Sequence, residues 1–375
     1  MRITFLTPPD DYSGGLRVVA IYARILQSRG HTVSIVSNAR AKPSLREQFR
    51  GLRRGRLKEV QQNALPQQGH LAQSGVPVNL LERARPIGGG DVPDADVVIA
   101  TWWETAVWMD ALPQSKGIKV HLIQGYEIWG DSTMTDKVNA ALRLPNLKIA
   151  ISTGLRREIQ TKLGNLEMFV IPNAVDLRQF DAPERERNAT PRIGFIYSQA
   201  LMKGADRCYA VINNIRQRIP DLKIVAFGVD APSERVPLPL GAEYHQRPAQ
   251  EKLAEIYADC DIWLFATRID SFGLPILEAM ACRTPVVGLP VGAAPELLAD
   301  GAGILICPRD ENDLPGAMAS AALQLLLGPT TEWRAMSDRA YRQAHGYSWE
   351  DAVDRFEALI VHADVDANAE VSELN

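Results

Sequence analysis

The fold is decided by a strand, a turn and a helix in residues 261–287, DIWLFATRIDSFGLPILEAMACRTPVV. The run DIWLFAT is short and apolar, as expected of a parallel strand that is covered on both faces. Pro275 suits the first position of a helix, because its missing N–H would have no partner there in any case. Glu278 then lies one turn into that helix, and TPVVGLP predicts the next strand. Two carboxylates, Asp270 and Glu278, therefore flank a sharp turn between buried strands.

Strand–helix units of this kind fill both halves of the chain. The first half contains the strand patterns RITFLT, TVSIVS, DVVIAT, KVHLIQG, LKIAIS and MFVIPN, and the second contains RIGFIY, LKIVAFG, DIWLFAT, TPVVGLP and AGILICP. A polar, proline-containing stretch at residues 176–191 separates them and is typical of a linker. We therefore predict an α/β protein with two tandem, doubly wound, Rossmann-like domains, 1–175 and 176–347. The acidic residues 364–375 predict a disordered tail.

Composition limits the possible partners and compartment. The 375 residues carry a formal net charge of −4, which gives no reason to expect nucleic acid as a partner. The apolar N-terminus is too short for a signal peptide, and Pro and Gly interrupt the uncharged residues 314–331, so we expect a cytoplasmic protein without a membrane span. Residues 40–58 contain eight Lys or Arg and one acid. They are interpreted either as a solvated loop or as a basic face for anionic lipid headgroups or an anionic acceptor.

Four cysteines occur singly in apolar surroundings: Cys208, Cys260, Cys282 and Cys307. They form no C-x-x-C pair and have no nearby histidine set of the kind that a zinc site needs. We expect four buried free thiols and no metal.

The flanking acids predict a ligand site at the edge of the second sheet. In open parallel sheets, ligands bind outside the carboxyl ends of the strands, where helix N-termini present unpaired N–H groups. Two carboxylates beside such donors suit a hydroxyl-rich anion such as a nucleotide sugar. Lys203, which precedes Gly204 after the first strand of the second domain, could meet a diphosphate as a point charge. The alternatives are that Asp270 only caps a helix, Glu278 only favours its dipole, and Lys203 is a surface lysine.

Three motifs resemble one known family. DSFGLPILEAMACRTPVV matches an acid-x7-Glu motif, IPNAVDLRQF a domain-junction signature and DYSGGLRVVA an N-terminal glycine turn of the GT-B fold glycosyltransferases of family 4. These are retaining transferases that use nucleotide-activated sugars, and the resemblance runs from residue 1 to about 360. It implies two domains that face a central cleft, with a C-terminal helix at about 348–363 that crosses back to the first. It also implies no metal and no cofactor other than the sugar donor as co-substrate.

The resemblance also implies roles for individual residues. Glu278 binds the donor ribose, and Lys203 neutralises the diphosphate. Hydroxyls of the transferred sugar are held by Asp270 and by the segment Ser271, Phe272, Gly273 and Leu274. The remaining donor-binding positions are Gly14, Gly15, Ser198 and Gly204, with the N–H groups of Gly14 and Gly15 facing the phosphate or the acceptor.

The chain departs from the family pattern in three places. The first acid of the motif is usually Glu and is Asp270 here, and the arginine that commonly lies five positions before the lysine is Ser198. Many members have a cleft histidine where this chain has Gln124, with Glu127 close behind. This Gln-x-Tyr-Glu arrangement is similar to that of some deoxyhexose (rhamnose-type) transferases. Glu127 is either a base that faces the cleft or a helix-capping acid.

Tryptophans in the first domain are candidates for the acceptor site. Trp102 and Trp103 follow the strand DVVIA, and Trp129 lies in YEIWGD. Indole faces stack well on sugar rings. Core packing is the alternative explanation for each.

The expected function is transfer of a hexose or deoxyhexose to a glycan, lipid-linked or other small acceptor, as in polysaccharide biosynthesis. Asp270, Lys203, Gln124 and Glu127 are the candidate catalytic residues, and residues 40–58 would allow peripheral contact with the inner face of the membrane. Three alternatives remain open: a noncatalytic nucleotide-sugar-binding protein, a GT-B enzyme of the 2-epimerase type, and a plain nucleotide-binding scaffold.

Overall fold

The computed structural model describes residues 1–41, 69–128 and 132–373. These divide into two compact units, each built on its own parallel sheet. Unit 1 comprises Met1–Ile151, Glu158–Ile171 and Glu350–Asn375, and unit 2 comprises Ser152–Arg157 and Pro172–Trp349. The prediction of two tandem Rossmann-like α/β domains is confirmed.

Unit 1 has a seven-stranded parallel sheet in the order β3-β2-β1-β4-β5-β6-β7. Its strands are β1 (Arg2–Thr7), β2 (Thr32–Ser37), β3 (Val78–Leu80), β4 (Val97–Ala100), β5 (Ile118–Ile123), β6 (Leu147–Ala150) and β7 (Phe169–Val170). The described helices are α1 (Gly14–Ser28), α2 (Trp103–Asp110), α3 (Ser132–Leu142) and α4 (Thr153–Leu163), whose first turn belongs to unit 2. Strand order reverses at β1, so the carboxyl ends of β1 and β4 form the crevice where ligands of such sheets bind.

In unit 1, the burial of a strand explains whether its sequence pattern predicted it. All four residues of β4 are buried, which explains the unbroken apolar run that predicted this strand. The sequence did not predict strand β3, because its three residues are exposed and lie at one edge of the sheet. An edge strand of this kind has no apolar periodicity to detect.

The C-terminal helix α11 (Trp349–Glu373) belongs to unit 1 from Glu350 onward. Its Phe356 ring lies 4.9 Å from that of Tyr22 on α1, and His31 Nε2 lies 2.9 Å from Glu357 Oε1. The sequence predicts a disordered tail after residue 363, but the helix continues to Glu373. Adding residues to an existing helix needs no new nucleus, so this polar, acidic segment remains helical.

Unit 2 has a six-stranded parallel sheet in the order β10-β9-β8-β11-β12-β13. Its strands are β8 (Arg192–Ile196), β9 (Lys223–Gly228), β10 (Glu243–Gln246), β11 (Ile262–Phe265), β12 (Val286–Gly288) and β13 (Ile304–Leu305). Its helices are α5 (Ala205–Arg216), α6 (Leu253–Ala258), α7 (Leu274–Ala281), α8 (Ala294–Leu297), α9 (Leu314–Leu327) and α10 (Thr330–His345). Strands β8 and β11 pair directly and lie at the point where the strand order reverses.

The segment predicted as a linker, residues 176–191, contains neither helix nor strand. It is nevertheless anchored to unit 2, because Arg185 Nη1 lies 3.3 Å from the buried carboxylate of Asp261. The Arg185 guanidinium also lies 4.8 Å from the centre of the Trp333 ring. Through Arg185, segment 176–191 therefore makes specific contacts with the core of unit 2.

Three of the four cysteines are buried as expected, and one is not. Cys208, Cys260 and Cys282 are buried, whereas Cys307 is exposed. The prediction for Cys307 is wrong because β13 ends at Leu305 and the chain then leaves the sheet. Within the described residues, no cluster of three or more His, Cys, Asp or Glu side chains is arranged to hold a metal ion. No helix of the same residues combines the length and apolarity needed to cross a bilayer.

Candidate functional site at the edge of the second sheet

The carboxyl ends of β8 and β11 bring Lys203 and Asp270 together. Lys203 ends a short 3-10 turn, Leu201–Lys203, and Asp270 follows the last residue of β11 by five positions. The ammonium Nζ lies 3.0 Å from Asp270 Oδ2, with the Lys203 side chain 44% exposed and that of Asp270 19% exposed. The two predicted donor-site charges thus form one ion pair that solvent or a ligand can reach.

The turn after Asp270 is held in a fixed shape. Asp270 Oδ1 accepts the N–H of Phe272 at 3.2 Å, and the Phe272 carbonyl accepts the N–H of Ala293 at 3.0 Å. Gly292 allows this approach: it has φ +61°, and a Cβ placed there would lie 3.0 Å from the Asp270 carbonyl oxygen. The sequence analysis did not single out Gly292, which is the glycine of PVGAAPE, shortly after the quoted motif.

Helix α7 begins directly after this turn. Gly273 is its N-cap residue with φ 95°, a left-handed conformation that favours glycine, and its side chain cannot cap the helix. Pro275 is the second residue of α7, one position after the place that the sequence predicts. The backbone of Gly273 and Leu274 therefore presents donors and a positive dipole end close to Asp270, an arrangement that suits an anionic or hydroxyl-bearing ligand.

Glu278 lies on the same helix but is buried, with only 6% of its surface exposed. Its Oε2 accepts a hydrogen bond from the Tyr257 hydroxyl at 2.8 Å. Tyr257 belongs to α6 and was missed by the sequence analysis, because no local motif links a helical tyrosine to an acid 21 positions later. The bond fixes one oxygen of the carboxylate and thereby the direction in which the group faces.

Gly204 and Ser198 stand on the loop that carries Lys203. Gly204 has φ 74°, and a Cβ at this position would lie 2.1 Å from the Ala266 carbonyl oxygen, so the loops after β8 and β11 can approach only through a glycine. Ser198 does not supply a cation: its hydroxyl donates to Asp230 Oδ2 at 2.9 Å. Arg268, two residues before Asp270, is paired with Asp206 at 2.8 Å.

In unit 1, two of the predicted positions meet at the start of α1. The helix begins at Gly14, and a Cβ on Gly15 would lie 3.4 Å from Gln124 Oε1. That oxygen is buried and accepts no hydrogen bond from the described residues. Ser13, the N-cap residue, makes no side-chain cap, so the amino end of α1, whose first N–H groups have no partner inside the helix, lies beside an amide side chain.

Glu127 and the two tryptophans form a second cluster in unit 1. Glu127 Oε2 accepts the N–H of Trp103, the first residue of α2, at 2.9 Å, which is a helix-capping contact. Burial raises the pKa of the Glu127 carboxyl to about 8, and the nearby charge of Glu104 adds to this. The hydrogen bond from Trp103 opposes the shift. Trp102 and Trp103 are both half-buried, so neither is confined to the core.

Two of the predicted regions lie largely or wholly outside the described residues. Trp129 and all but the first two residues of the basic segment 40–58 lie outside the described residues. The acceptor role of Trp129 and the membrane or anion contact of the basic segment remain predictions.

Comparisons with known proteins identify a matching family model and several similar structures. A family model described as "Glycosyl transferases group 1" matches residues 190–327, which cover most of unit 2 and the whole segment from Ser198 to Glu278. Sucrose-phosphate synthase from Thermosynechococcus elongatus has a similar structure, with a TM-score of 0.73 and 16% identity over 98% of this chain and 100% of that one. The fold is GT-B.

Other GT-B structures and a curated sequence are also similar. Anabaena Alr3699/HepE, solved in complex with UDP and glucose, matches with a TM-score of 0.70 and 17% identity over 97% of this chain and 100% of that one. The D-inositol 3-phosphate glycosyltransferase of Segniliparus rotundus is 28% identical over 208 residues, 49% of this chain and 44% of that protein. The chain thus spans less than half the length of this curated relative. The chain therefore shares the GT-B fold with these structures and, over residues 190–327, the sequence pattern of the "Glycosyl transferases group 1" model.

Proposed function

We propose that the protein is a retaining, metal-independent glycosyltransferase of the family 4 type, which moves a hexose or deoxyhexose from a nucleotide-diphosphate sugar to a glycan, lipid-linked or other small acceptor. The observation that carries this proposal is the ion pair between Lys203 and Asp270 beside the amino end of α7, within the segment matched by the family model. The complex of the structural neighbour HepE with UDP and glucose supports a nucleotide-sugar donor.

Unit 2 would bind the donor through three groups. The Glu278 carboxylate, oriented by Tyr257, would accept hydrogen bonds from the ribose hydroxyls. Lys203 would leave Asp270 to meet the diphosphate, which carries more charge than a single carboxylate. Asp270 and the backbone N–H groups of Ser271, Gly273 and Leu274 would then bind the hydroxyls of the transferred sugar, while the Phe272 N–H holds Asp270.

Transfer breaks the bond between the anomeric carbon and the phosphate oxygen and forms a bond from that carbon to the acceptor oxygen. Positive charge develops on the sugar ring and negative charge on the leaving diphosphate. Lys203 and the amino end of α7 would stabilise the negative charge of the leaving diphosphate. This stabilisation would be the main electrostatic contribution of the site to catalysis. In front-face attack the acceptor oxygen itself attacks the anomeric carbon, so no protein nucleophile is required, and its proton passes to the leaving phosphate.

Unit 1 would bind the acceptor. Gln124 would hydrogen-bond a substrate hydroxyl through its unpaired Oε1, while Trp102 and Trp103 would offer indole faces to a sugar ring. Glu127 has two roles open to it: it caps α2, and its raised pKa would let it exchange a proton near neutral pH. The N–H groups of Gly14 and Gly15 would serve the acceptor or the phosphate.

Donor binding tests this proposal directly. Purified protein is screened by thermal shift against UDP-, GDP- and dTDP-sugars, because a ligand that binds only the native state raises Tm according to its affinity. We expect one nucleotide class to raise Tm and the Glu278→Gln variant to lose the shift while retaining the fold. Glu251→Gln, which changes an exposed acid of the same unit, is the matched control. Failure of every nucleotide to bind would contradict the proposal.

Turnover separates the enzyme from the alternatives. Labelled donor that is transferred or slowly hydrolysed supports a transferase, and epimerised sugar nucleotide supports the 2-epimerase type. Tight donor binding without turnover on any acceptor favours a noncatalytic nucleotide-sugar-binding protein. The Ser198–Asp230 bond, in place of a second diphosphate cation, is the observation that keeps this last candidate open.

A further inference from the structure

Asp230 lies directly beside the loop that carries Lys203, although no sequence pattern pointed to it. It follows β9, the neighbour of β8 in the sheet of unit 2, by two positions. Asp230 Oδ2 accepts two hydrogen bonds at 2.9 Å, from the Ser198 hydroxyl and from the Gln199 N–H. One carboxylate oxygen thus holds two consecutive residues of the loop after β8.

Further bonds extend this contact on both sides. The Ser198 hydroxyl oxygen accepts the N–H of Ala200 at 3.2 Å, and Gln199 Nε2 donates to the Ala231 carbonyl at 2.8 Å. The two loops are therefore joined through side chain and backbone, with Asp230 at the centre.

The position of Lys203 depends on this anchored segment. The Lys203 N–H donates to the Ala200 carbonyl at 2.8 Å, so the 3-10 turn that ends in Lys203 starts from the residue that Ser198 holds. At the other end, Gly204 fits closely against the Ala266 carbonyl. The lysine is thus supported from the Ser198 side and from the Gly204 side, and Arg268 Nη1 also donates to the Leu201 carbonyl of the same turn at 2.6 Å.

Asp230 is itself held in place. The Tyr244 hydroxyl donates to the Asp230 main-chain carbonyl, and the Tyr244 ring lies 5.3 Å from that of Tyr197 in an edge contact. Because this bond uses the main chain, substitution of the Asp230 side chain leaves it intact. The side chain can therefore be tested without removing the anchor of its own loop.

We propose that Asp230 is a positioning residue of the donor site, whose carboxylate fixes residues 198–200 so that the Lys203 ammonium is presented beside Asp270. The inference rests on the proposed function for its substrate, a nucleoside diphosphate. It accounts for Ser198: a serine hydroxyl can donate to the carboxylate and accept from Ala200 at once, whereas an arginine side chain has no acceptor.

The decisive experiment is a double-mutant cycle on nucleotide binding. UDP, GDP and dTDP are titrated calorimetrically into the full-length protein, and the diphosphate that binds is compared with its nucleoside. Asp230→Ala should weaken diphosphate binding about tenfold, as two lost hydrogen bonds predict, and leave nucleoside binding unchanged. In a Lys203→Ala background the same change should have little further effect, because the two residues act as one unit.

Conservative variants separate positioning from charge. Asp230→Asn keeps an oxygen that can accept both bonds, so it should bind the diphosphate within about twofold of wild type. Asp221→Ala, which removes an exposed acid just before the amino end of β9, is the matched control and should change nothing. Equal weakening by Asp230→Ala with and without Lys203 would overturn the proposal, as would a loss in Asp230→Asn as large as that in Asp230→Ala.

A readout without nucleotide distinguishes this inference from the proposed function. Lysines are reductively methylated with ¹³C-formaldehyde, and the Lys203 signal is assigned from its loss in Lys203→Arg. Asp230→Ala should shift that signal, while Asp230→Asn should not. If wild type bound no nucleotide but the signal behaved in this way, the donor proposal would fail and the positioning role would stand; an unmoved signal in Asp230→Ala would remove the positioning role.

Discussion

The ligand-facing edges of the two sheets differ in how they hold their acids. In unit 2, Asp270 is paired with Lys203, Glu278 accepts from Tyr257 and Asp230 accepts from Ser198. In unit 1, Glu127 is buried with one backbone donor and a second acid nearby, and its pKa is raised to about 8. At the edge of unit 2 each of these acids is paired with a donor, whereas at the edge of unit 1 burial favours the protonated form of Glu127.

This difference is consistent with the different tasks that we propose for the two edges. Lys203 stands beside Asp270 before any ligand binds and would exchange this carboxylate for the more highly charged diphosphate that we propose for the edge of unit 2. A protonated carboxyl beside half-buried indoles suits uncharged hydroxyl groups, which favours a sugar acceptor at the edge of unit 1. Four substitutions test this contrast, from the largest expected effect to the smallest.

Gly204→Ala should have the largest effect, on the close approach of the two loops that form the edge of unit 2. A Cβ would lie 2.1 Å from the Ala266 carbonyl in a left-handed backbone conformation, so we expect a loss of about 3–4 kcal/mol of unfolding free energy. Urea denaturation measures it. Gly241→Ala, also at positive φ but with nothing within 4 Å of its Cβ, should cost clearly less. Equal losses would mean that backbone strain, and not the approach of the loops, requires the glycine.

Lys203→Ala removes the cation of the same edge. We expect kcat/KM for the donor to fall about 100-fold, equivalent to about 2.7 kcal/mol, because the leaving diphosphate loses its counter-ion. Steady-state kinetics or donor hydrolysis measures this, and Lys223→Ala at the exposed start of β9 controls for removal of a cation. If activity changed by less than twofold, the positive charge of Lys203 at the edge of unit 2 would have no role in the reaction.

Glu127→Gln tests the acid of unit 1 through pH. The folded pKa of about 8 lies above the ordinary value of 4.5, so folding stabilises the protonated form, and the wild type loses stability as pH rises from about 4.5 to 8. Each pKa unit corresponds to about 1.4 kcal/mol, so the variant should be more stable than wild type by a few kcal/mol at most at pH 8 and similar at pH 4. Urea denaturation at both pH values measures the difference. A stability gap that did not depend on pH would show that Glu127 ionises normally.

Tyr257→Phe should have the smallest effect. It removes the hydroxyl that donates to Glu278 but keeps the ring, so we expect a loss of about 1 kcal/mol in stability and a fewfold weaker nucleotide binding. Calorimetry and urea denaturation measure the two quantities. Tyr209→Phe on α5 is the comparison. Unchanged nucleotide binding would mean that the ribose does not depend on the orientation of Glu278.

The sequence alone determined the two parallel sheets and the turn between β11 and α7. Nearly continuous apolar strands such as β4 and β11, separated by helices, leave few other architectures, and Pro275 marked the start of α7 to within one position. The same local signals failed for the exposed edge strand β3, for Cys307 and for residues 364–373. Strand β3 is exposed at a sheet edge, Cys307 lies beyond the end of β13, and residues 364–373 extend a helix that has already formed, and short-range patterns encode none of these circumstances.

Only the tertiary structure decided what the candidate residues contact. Lys203 and Asp270 are 67 positions apart, Tyr257 and Glu278 are 21 apart, and Ser198 and Asp230 are 32 apart, yet each pair is joined by one hydrogen bond. Residue type and spacing show that a side chain can carry charge. Which partner orients it, or whether burial keeps it protonated as in Glu127, depends on strands that become neighbours when the sheet forms.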